Sequence, residues 1–359
     1  MIKKGKSVMN TLKPIPKKTL YIRADGNQTI GLGHLMRGLS IADALTELGG
    51  STVFLVADAD SEGTILKRGY EVISLHSNWK NLEEELEQLI SIISKRQIEN
   101  LLIDSYYVTK LYLQRLYQHT KVTYLDDLNL FIYPCHTLIN YSSYYKKFHY
   151  NTNYPQTKLL LGTAYVPLQK AYSKMGKKEI NKQVKQVLVL TGGTDEYHFA
   201  LGMAQQIVKV SKQENRRYVF ICGKYNRDLK QLQQLQKECK NIICISNTDN
   251  MWNYMKKADV AVSAGGTTLY ELCTVGTPTI SYLLADNQYE NVKSFAAQGL
   301  MYDAGDIRKD KNQVIQQILS QIDKLEQKPK ERMEIAERMQ CLVDGQGARR
   351  IAQEITGVE

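Results

Sequence analysis

Apolar and polar positions along this chain follow two periods in turn. "TLYIRAD" is a short apolar run ending in a carboxylate. After a glycine-bearing turn comes "GHLMRGLSIADALTELG", where Leu35, Leu39, Ala42 and Leu45 recur at helical spacing and Gly49 and Gly50 end the helix. "STVFLVAD" and "YEVISL" predict two more strands, and "NLEEELEQLISIISKRQ" predicts an amphipathic helix. "IENLLIDSY", "KVTYLDD" and "HTLIN" complete the set of strands in this half. Apolar strands alternating with helices predict a parallel sheet covered on both faces.

The alternation lapses in a polar, lysine-rich stretch, residues 166–185, and then restarts. "VKQVLVLTGGTD", "RRYVFICG", "NIICIS", "DVAVSAGG" and "TPTISYLLA" read as strands. Helices are expected from about 197, 226, 251, 268 and 288, and a last helical stretch, about 310–356, finishes the second half or crosses back. The division is therefore a basic mobile tail at 1–18, a Rossmann-like domain at 19–165, a linker at 166–185 and a second Rossmann-like domain at 186–359. Two doubly wound α/β domains facing one cleft form the architecture called GT-B.

Composition narrows the classes. The chain has 359 residues, of which 43% are hydrophobic, enough for two cores. No apolar stretch approaches the length of a membrane span, and the basic N-terminus lacks the apolar core of a secretory signal. Six scattered cysteines form no C-x-x-C pair, which argues against a zinc site or a disulfide framework and fits a reducing cytoplasm. The net charge of +10 favours anionic partners. No nucleic-acid-binding signature accompanies it, so a phosphorylated small molecule is the expected ligand.

Ligands of doubly wound sheets bind beyond the carboxyl ends of the strands. Glycine-bearing loops stand there at 31–33, 192–193 and 265–266, with Asp-Asn-Gln at 286–288. Each can bring bare N–H groups up to an anion, and together they suggest a nucleotide diphosphate. Taken singly, Gly31, Gly33, Gly193, Gly265 and Gly266 are ordinary turn residues. His34 opens a helix, where a polar, half-exposed histidine needs no further role. Arg37 either neutralises phosphate or forms an ion pair. Thr268 and Glu271 have the spacing of a capping box. Met251 fits a core position at a helix start, and Asn287 and Gln288 fit loop and cap positions. Asp25, Asp104, Asp126 and Asp127 sit at strand ends, where carboxylates often serve turns and caps.

In order, "RADGNQTIGLGHLMRGLSIADAL", "LLIDSYY", "YLDDL", "LGTAYVPL", "LVLTGGTD", "SAGGTTLYELCTVGTPTI", "DNQ" and "DGQGARRI" make the chain resemble the UDP-sugar hydrolases of pseudaminic acid biosynthesis and their spore-coat polysaccharide relatives. The second half also resembles the glycosyltransferase that makes lipid II. The resemblance implies that His34 is the catalytic residue, with Gly31 and Gly33 folding its loop around sugar and diphosphate. A helix N-terminus disfavours the charged imidazole, which suits a base. It implies that Glu271 binds the ribose hydroxyls, that Gly193, Gly265, Gly266, Thr267 and Thr268 flank the phosphates, and that Met251 cradles uracil. Asn287 and Gln288 are then amide donors to diphosphate or sugar. Tyr106 lines the sugar pocket, and Asp25 orients the His34 loop or binds a sugar hydroxyl. Where the family often has arginine, this chain has Gln169.

These readings lead to one expectation. The protein is a hydrolase without metal or cofactor that splits a UDP-diacetamido-trideoxy-altrose into UDP and free sugar by inverting attack of water at C1. Its partners are the UDP-sugar and possible neighbours in the same pathway, with no nucleic acid and no integral membrane association. The rival is a glycosyltransferase of the same architecture that uses a sugar or lipid acceptor.

Overall fold

The computed structural model describes residues 18–27, 29–210, 216–223, 226–246 and 248–358. The basic segment read as a mobile tail lies, but for Lys18, outside the described residues. The first sheet holds β1 (Thr19–Ala24), β2 (Ser51–Val56), β3 (Glu71–Ser74), β4 (Asn100–Asp104), β5 (Lys121–Leu125), β6 (Thr137–Asn140) and β7 (Lys158–Leu161). The second holds β8 (Gln186–Leu190), β9 (Arg217–Cys222), β10 (Ile242–Ser246), β11 (Val260–Ala264), β12 (Thr279–Leu283) and β13 (Met301–Asp306). Their orders are β3-β2-β1-β4-β5-β6-β7 and β10-β9-β8-β11-β12-β13. The recorded pairings are parallel throughout.

Helices α1 (Gly33–Glu47), α2 (Glu62–Lys67), α3 (Leu86–Arg96), α4 (Lys110–Tyr117) and α5 (Tyr150–Asn153) accompany the first sheet. Helices α6 (Phe199–Val210), α7 (Leu229–Glu238), α8 (Met251–Lys257), α9 (Thr268–Val275), α10 (Tyr289–Ala297), α11 (Ile307–Glu326), α12 (Pro329–Leu342) and α13 (Gly347–Thr356) follow in the second half. Strand order reverses between β1 and β4 and again between β8 and β11. Each reversal opens a crevice at the carboxyl end of its sheet.

Two strands escaped the periodicity. β7 runs "KLLL", too short to separate from the loop around it, and β13 runs "MYDAGD", an edge strand whose polar positions blur the alternation. One strand carries what a buried parallel strand normally excludes. Arg23 of β1 is fully buried, and its Nε and Nη2 bond both carboxylate oxygens of Glu85 at 2.6 and 2.9 Å. Its Nη1 reaches Asp25. Burial pulls the guanidinium pKa down, but Glu85 and Asp25 outweigh it and raise it.

The halves are joined twice. Residues 170–174 form a 3-10 turn, and beyond it Lys178 donates its buried ammonium to the carbonyls of Met255 and Ala258 at the end of α8. Desolvation pushes that ammonium down to about 8. At the other crossing the chain returns from α12 to α13, which packs against α1 and the turn at Thr163–Tyr165. Arg350 donates to the Ala164 carbonyl at 2.9 Å, and Lys158 pairs with Glu354 at 2.6 Å. One apolar cluster runs through both halves, including Leu39, Tyr141, Leu168, Tyr172, Leu269 and Ile351.

Gly347 makes the return possible. A Cβ there would sit 2.2 Å from the Val166 carbonyl oxygen, inside backbone that cannot yield. Gly347→Ala is therefore expected to destabilise the protein by about 2–3 kcal/mol. Chemical denaturation measures this, and an unchanged midpoint would show that α13 does not hold the halves together.

Candidate active site

The site begins where β1 ends. Asn27 Oδ1 accepts the N–H groups of Thr29 and Ile30, and the Asn27 N–H reaches the Gly31 carbonyl at 3.2 Å. The tight turn this makes has Gly31 at φ +74°, a left-handed conformation that glycine takes at no steric cost. Helix α1 then starts at Gly33 with no side-chain cap.

His34 is buried, 5% exposed, and its Nδ1 lies 2.6 Å from Asp104 Oδ1 at the end of β4. β4 is the partner of β1 across the strand-order reversal, with Ala24 paired to Asp104. Arg37, one helical turn on, grips the same carboxylate with Nε at 2.9 Å and Nη2 at 2.7 Å. Its Nη1 bonds Asp127 Oδ2 and Tyr141 Oη, both at 2.6 Å. Tyr106 donates to the same Asp127 oxygen at 3.2 Å and sets its ring edge-on to the His34 ring, centroids 4.4 Å apart. The contacts form a closed circuit from His34 through Asp104, Arg37, Asp127 and Tyr106 back to His34.

The circuit fixes the chemistry of the imidazole. Burial pushes the Asp104 pKa up, but Arg37 and His34 outweigh it and hold the carboxyl below its ordinary value. An ionised carboxylate can only accept, so the short bond places a proton on Nδ1. Arg37 Nη2 also lies 2.8 Å from Nδ1, but it has Asp104 as acceptor. In the neutral ring the lone pair then lies on Nε2, which has no partner among the described residues. All three guanidinium nitrogens of Arg37 are engaged within the protein, in ion pairs with Asp104 and Asp127. Both oxygens of Asp25 are also engaged, by Arg23 and by the Ala57 N–H.

A cleft of about 220 Å³ lies between the two sheets. Gly33, His34, Arg37 and Tyr106 line it on one side, and Gly265, Gly266, Thr267, Asn287 and Gln288 on the other. The N–H groups of Gly266, Thr267 and Thr268 make no hydrogen bond among the described residues. They stand at the uncapped start of α9, where donors and helix dipole favour an anion. Gln288 Oε1 accepts from the N–H groups of Gly265 and Leu284, which holds the loop and leaves its amide NH2 available. An adjoining cavity of about 210 Å³ shares Gly33, Arg37 and Thr267 and adds Gln169 and Glu271.

The capping box does not form. The N-cap is Thr267, one residue before the position that the spacing suggests, so Glu271 lies a residue too far into the helix and faces the cavity beside Tyr172. Gly31 shapes the turn without lining the cleft, and Thr268 lies half-buried at the helix start. Gly193 is exposed after β8, its backbone against Gly223. Met251 opens α8 and packs on the apolar cluster rather than on either cavity. Asp104 and Asp127 reach the site from strand ends that the sequence left as turn positions. Tyr141, Tyr144, Tyr270 and Asn291 also line the cleft. Among the described residues no three His, Cys, Asp or Glu side chains gather as metal ligands, and no helix is long and apolar enough to cross a membrane.

Burial raises the Glu271 carboxyl from its ordinary 4.5 to about 7. Between those values the folded protein keeps a proton that the unfolded chain releases, so stability falls as pH rises through that window and the penalty is complete above it. Glu271→Gln is expected to stabilise the fold by about 1–3 kcal/mol near pH 8 and by almost nothing near pH 4.5. Thermal melts at the two pH values test this, and a difference independent of pH would refute it.

Residues 187–355 match the glycosyltransferase family 28 C-terminal domain. The chain is 24% identical over 293 residues to the spore coat polysaccharide biosynthesis protein SpsG of Bacillus subtilis, covering 79% of this chain and 83% of that protein. It is 23% identical over 286 residues to the UDP-2,4-diacetamido-2,4,6-trideoxy-beta-L-altropyranose hydrolase of Campylobacter jejuni, covering 79% and 97%. The crystal structure of Acinetobacter baumannii MurG superposes with a TM-score of 0.64 at 13% identity, covering 95% of this chain and 99% of that one. The chain thus has the GT-B fold, two Rossmann-like α/β halves about a cleft, and its second half is similar to the C-terminal domain of glycosyltransferase family 28.

Proposed function

We propose that the protein hydrolyses a UDP-linked sugar, releasing UDP and the free sugar, and that the sugar is the 2,4-diacetamido-2,4,6-trideoxy-altrose of pseudaminic acid biosynthesis. The observation that carries the reading is the His34–Asp104 pair facing, across one cleft, the unpaired N–H groups that lead into α9. The name of the Campylobacter relative, which the chain matches over 97% of that protein's length, supports the choice of sugar.

In this proposal the diphosphate sits on the N–H groups of Gly266, Thr267 and Thr268, Glu271 takes the ribose hydroxyls, and the sugar lies against Tyr106, Asn287 and Gln288. Nε2 of His34 takes a proton from water as the oxygen attacks C1. The bond from C1 to the diphosphate oxygen breaks, and UDP leaves with its electron pair, held by backbone donors and the helix dipole. Asp104 keeps the imidazole in the tautomer that this step needs. Asp104 and Asp127 are both tied to Arg37, so neither is free as a carboxylate nucleophile, which favours single displacement with inversion.

His34→Ala is expected to abolish UDP release while UDP affinity stays within about threefold, or ~0.65 kcal/mol. Calorimetry and a release assay measure the two quantities, and near-normal turnover would remove His34 from its role. In 18O-labelled water the label should enter the sugar; label in the β-phosphate of UDP would mean attack at phosphorus. The family 28 match favours one rival, a glycosyltransferase with a sugar or lipid acceptor. UDP release that starts only when an acceptor is added would decide for it.

A further inference from the structure

Four tyrosines line the cleft. Three belong to the first half, and Tyr270, on α9, belongs to the second. Its side chain is fully buried. Its ring meets the rings of Tyr141 and Phe295 edge-on, with centroids 5.6 and 5.2 Å away. Tyr141 is the side chain whose hydroxyl accepts from Arg37. The Tyr270 hydroxyl accepts the N–H of Ser143, from the first half, at 3.3 Å and donates to Asn291 Oδ1 at 2.6 Å. A hydroxyl this deeply buried needs such partners.

The tyrosine proton decides how the Asn291 amide is turned. With Oδ1 accepting it, Nδ2 is the donor that reaches the Gly265 carbonyl, at 3.2 Å. Gly265 C=O and Gly266 N–H belong to one planar trans peptide and point in opposite directions. A hold on the carbonyl therefore sets the direction of the Gly266 N–H, one of the unpaired donors at the start of α9. This peptide needs a hold from outside. It joins two glycines, so no Cβ on either side resists its rotation. Glycine is required at 265, where a Cβ would meet Val292 Cγ2 at 2.5 Å.

We infer that Tyr270 is a positioning residue for the leaving group: through Asn291 it aims the Gly266 N–H at the diphosphate, and through Ser143 it takes its own place from the half that carries His34. The inference rests on the seat proposed above for the diphosphate and deepens it. Donors to a leaving oxygen are most effective when they already point at it as its charge grows. A peptide free to turn would lose that advantage. The path from Arg37 through Tyr141, Tyr270 and Asn291 to the Gly265 carbonyl consists of direct contacts, and it ties the base and the leaving-group donors to one frame.

Three variants test the role. Tyr270→Phe keeps the ring and removes the hydroxyl. It should lower kcat for UDP release about tenfold or more and weaken UDP binding about three- to tenfold. Asn291→Leu leaves Tyr270 in place and should do the same, so it reads the same peptide should Tyr270→Phe fold poorly. The two changes combined should cost no more than the larger alone, because they act on one peptide. Ser294→Ala breaks a neighbouring bond between the halves, the one from Ser143 Oγ at 2.9 Å, without touching that peptide, and should keep wild-type kinetics. Wild-type kinetics in Tyr270→Phe, losses that add in the double variant, or an equal loss in Ser294→Ala would each overturn the positioning role alone. A wild type that binds UDP but releases none in water removes the hydrolase reading, and the UDP affinities of the same variants, measured by calorimetry, then decide the role of Tyr270. A wild type that does not bind UDP removes both.

Discussion

The geometry around His34 depends on one buried guanidinium. Arg37 binds Asp104 with two nitrogens and Asp127 with a third, and so brings the ends of β4 and β5 to the first turns of α1. Two carboxylates this close would repel each other and one would take up a proton if the cation were absent. A buried pair of this kind adds little net stability, but removal of one partner costs about 3–5 kcal/mol because the other is left charged and dry. Its value here lies in position. Asp104 stays ionised, and the imidazole has one orientation and one tautomer.

The cleft inherits its shape from topology. Both sheets reverse strand order once, and both reversals face the interdomain space. The loops after β1 and β11 begin at these points and run into α1 and α9. One helix start presents a side chain, His34, and the other presents backbone N–H groups. Across the cleft a rim of polar contacts adds closure: Ser143 Oγ meets Ser294 Oγ at 2.9 Å, and Lys147 pairs with Glu290. These groups belong to opposite halves, so the width of the cleft is set in part by its own edge.

The sequence made legible whatever depends on local spacing. The helix that carries His34 and Arg37, the glycine turn before it and the Gly-Gly loop before α9 all follow from short-range pattern. Asp104 was harder, because its role comes from His34, on a helix 70 residues away, and a carboxylate at a strand end looks the same in a turn. Glu271 shows a local rule failing. Its spacing from Thr268 suits a cap, yet the helix begins at Thr267 and the side chain faces a cavity, where burial changes its proton affinity. Arg23 shows the limit from another side, since a charge within an apolar run is matched by Glu85, far along the chain on a separate element, as well as by nearby Asp25.

The two crossings between the halves set how the cleft can move. One runs through the segment before Lys178, the other through the short turn before α13, and both lie on the same flank beside α1. A body joined to another at one point can swivel in any direction. Joined at two, it keeps a single easy rotation, about the line through both joints. Any opening of this cleft would therefore be a door motion about that line. In such a rotation the residues along that flank would stay in register, while the rim at Ser143 and Ser294 would travel farthest.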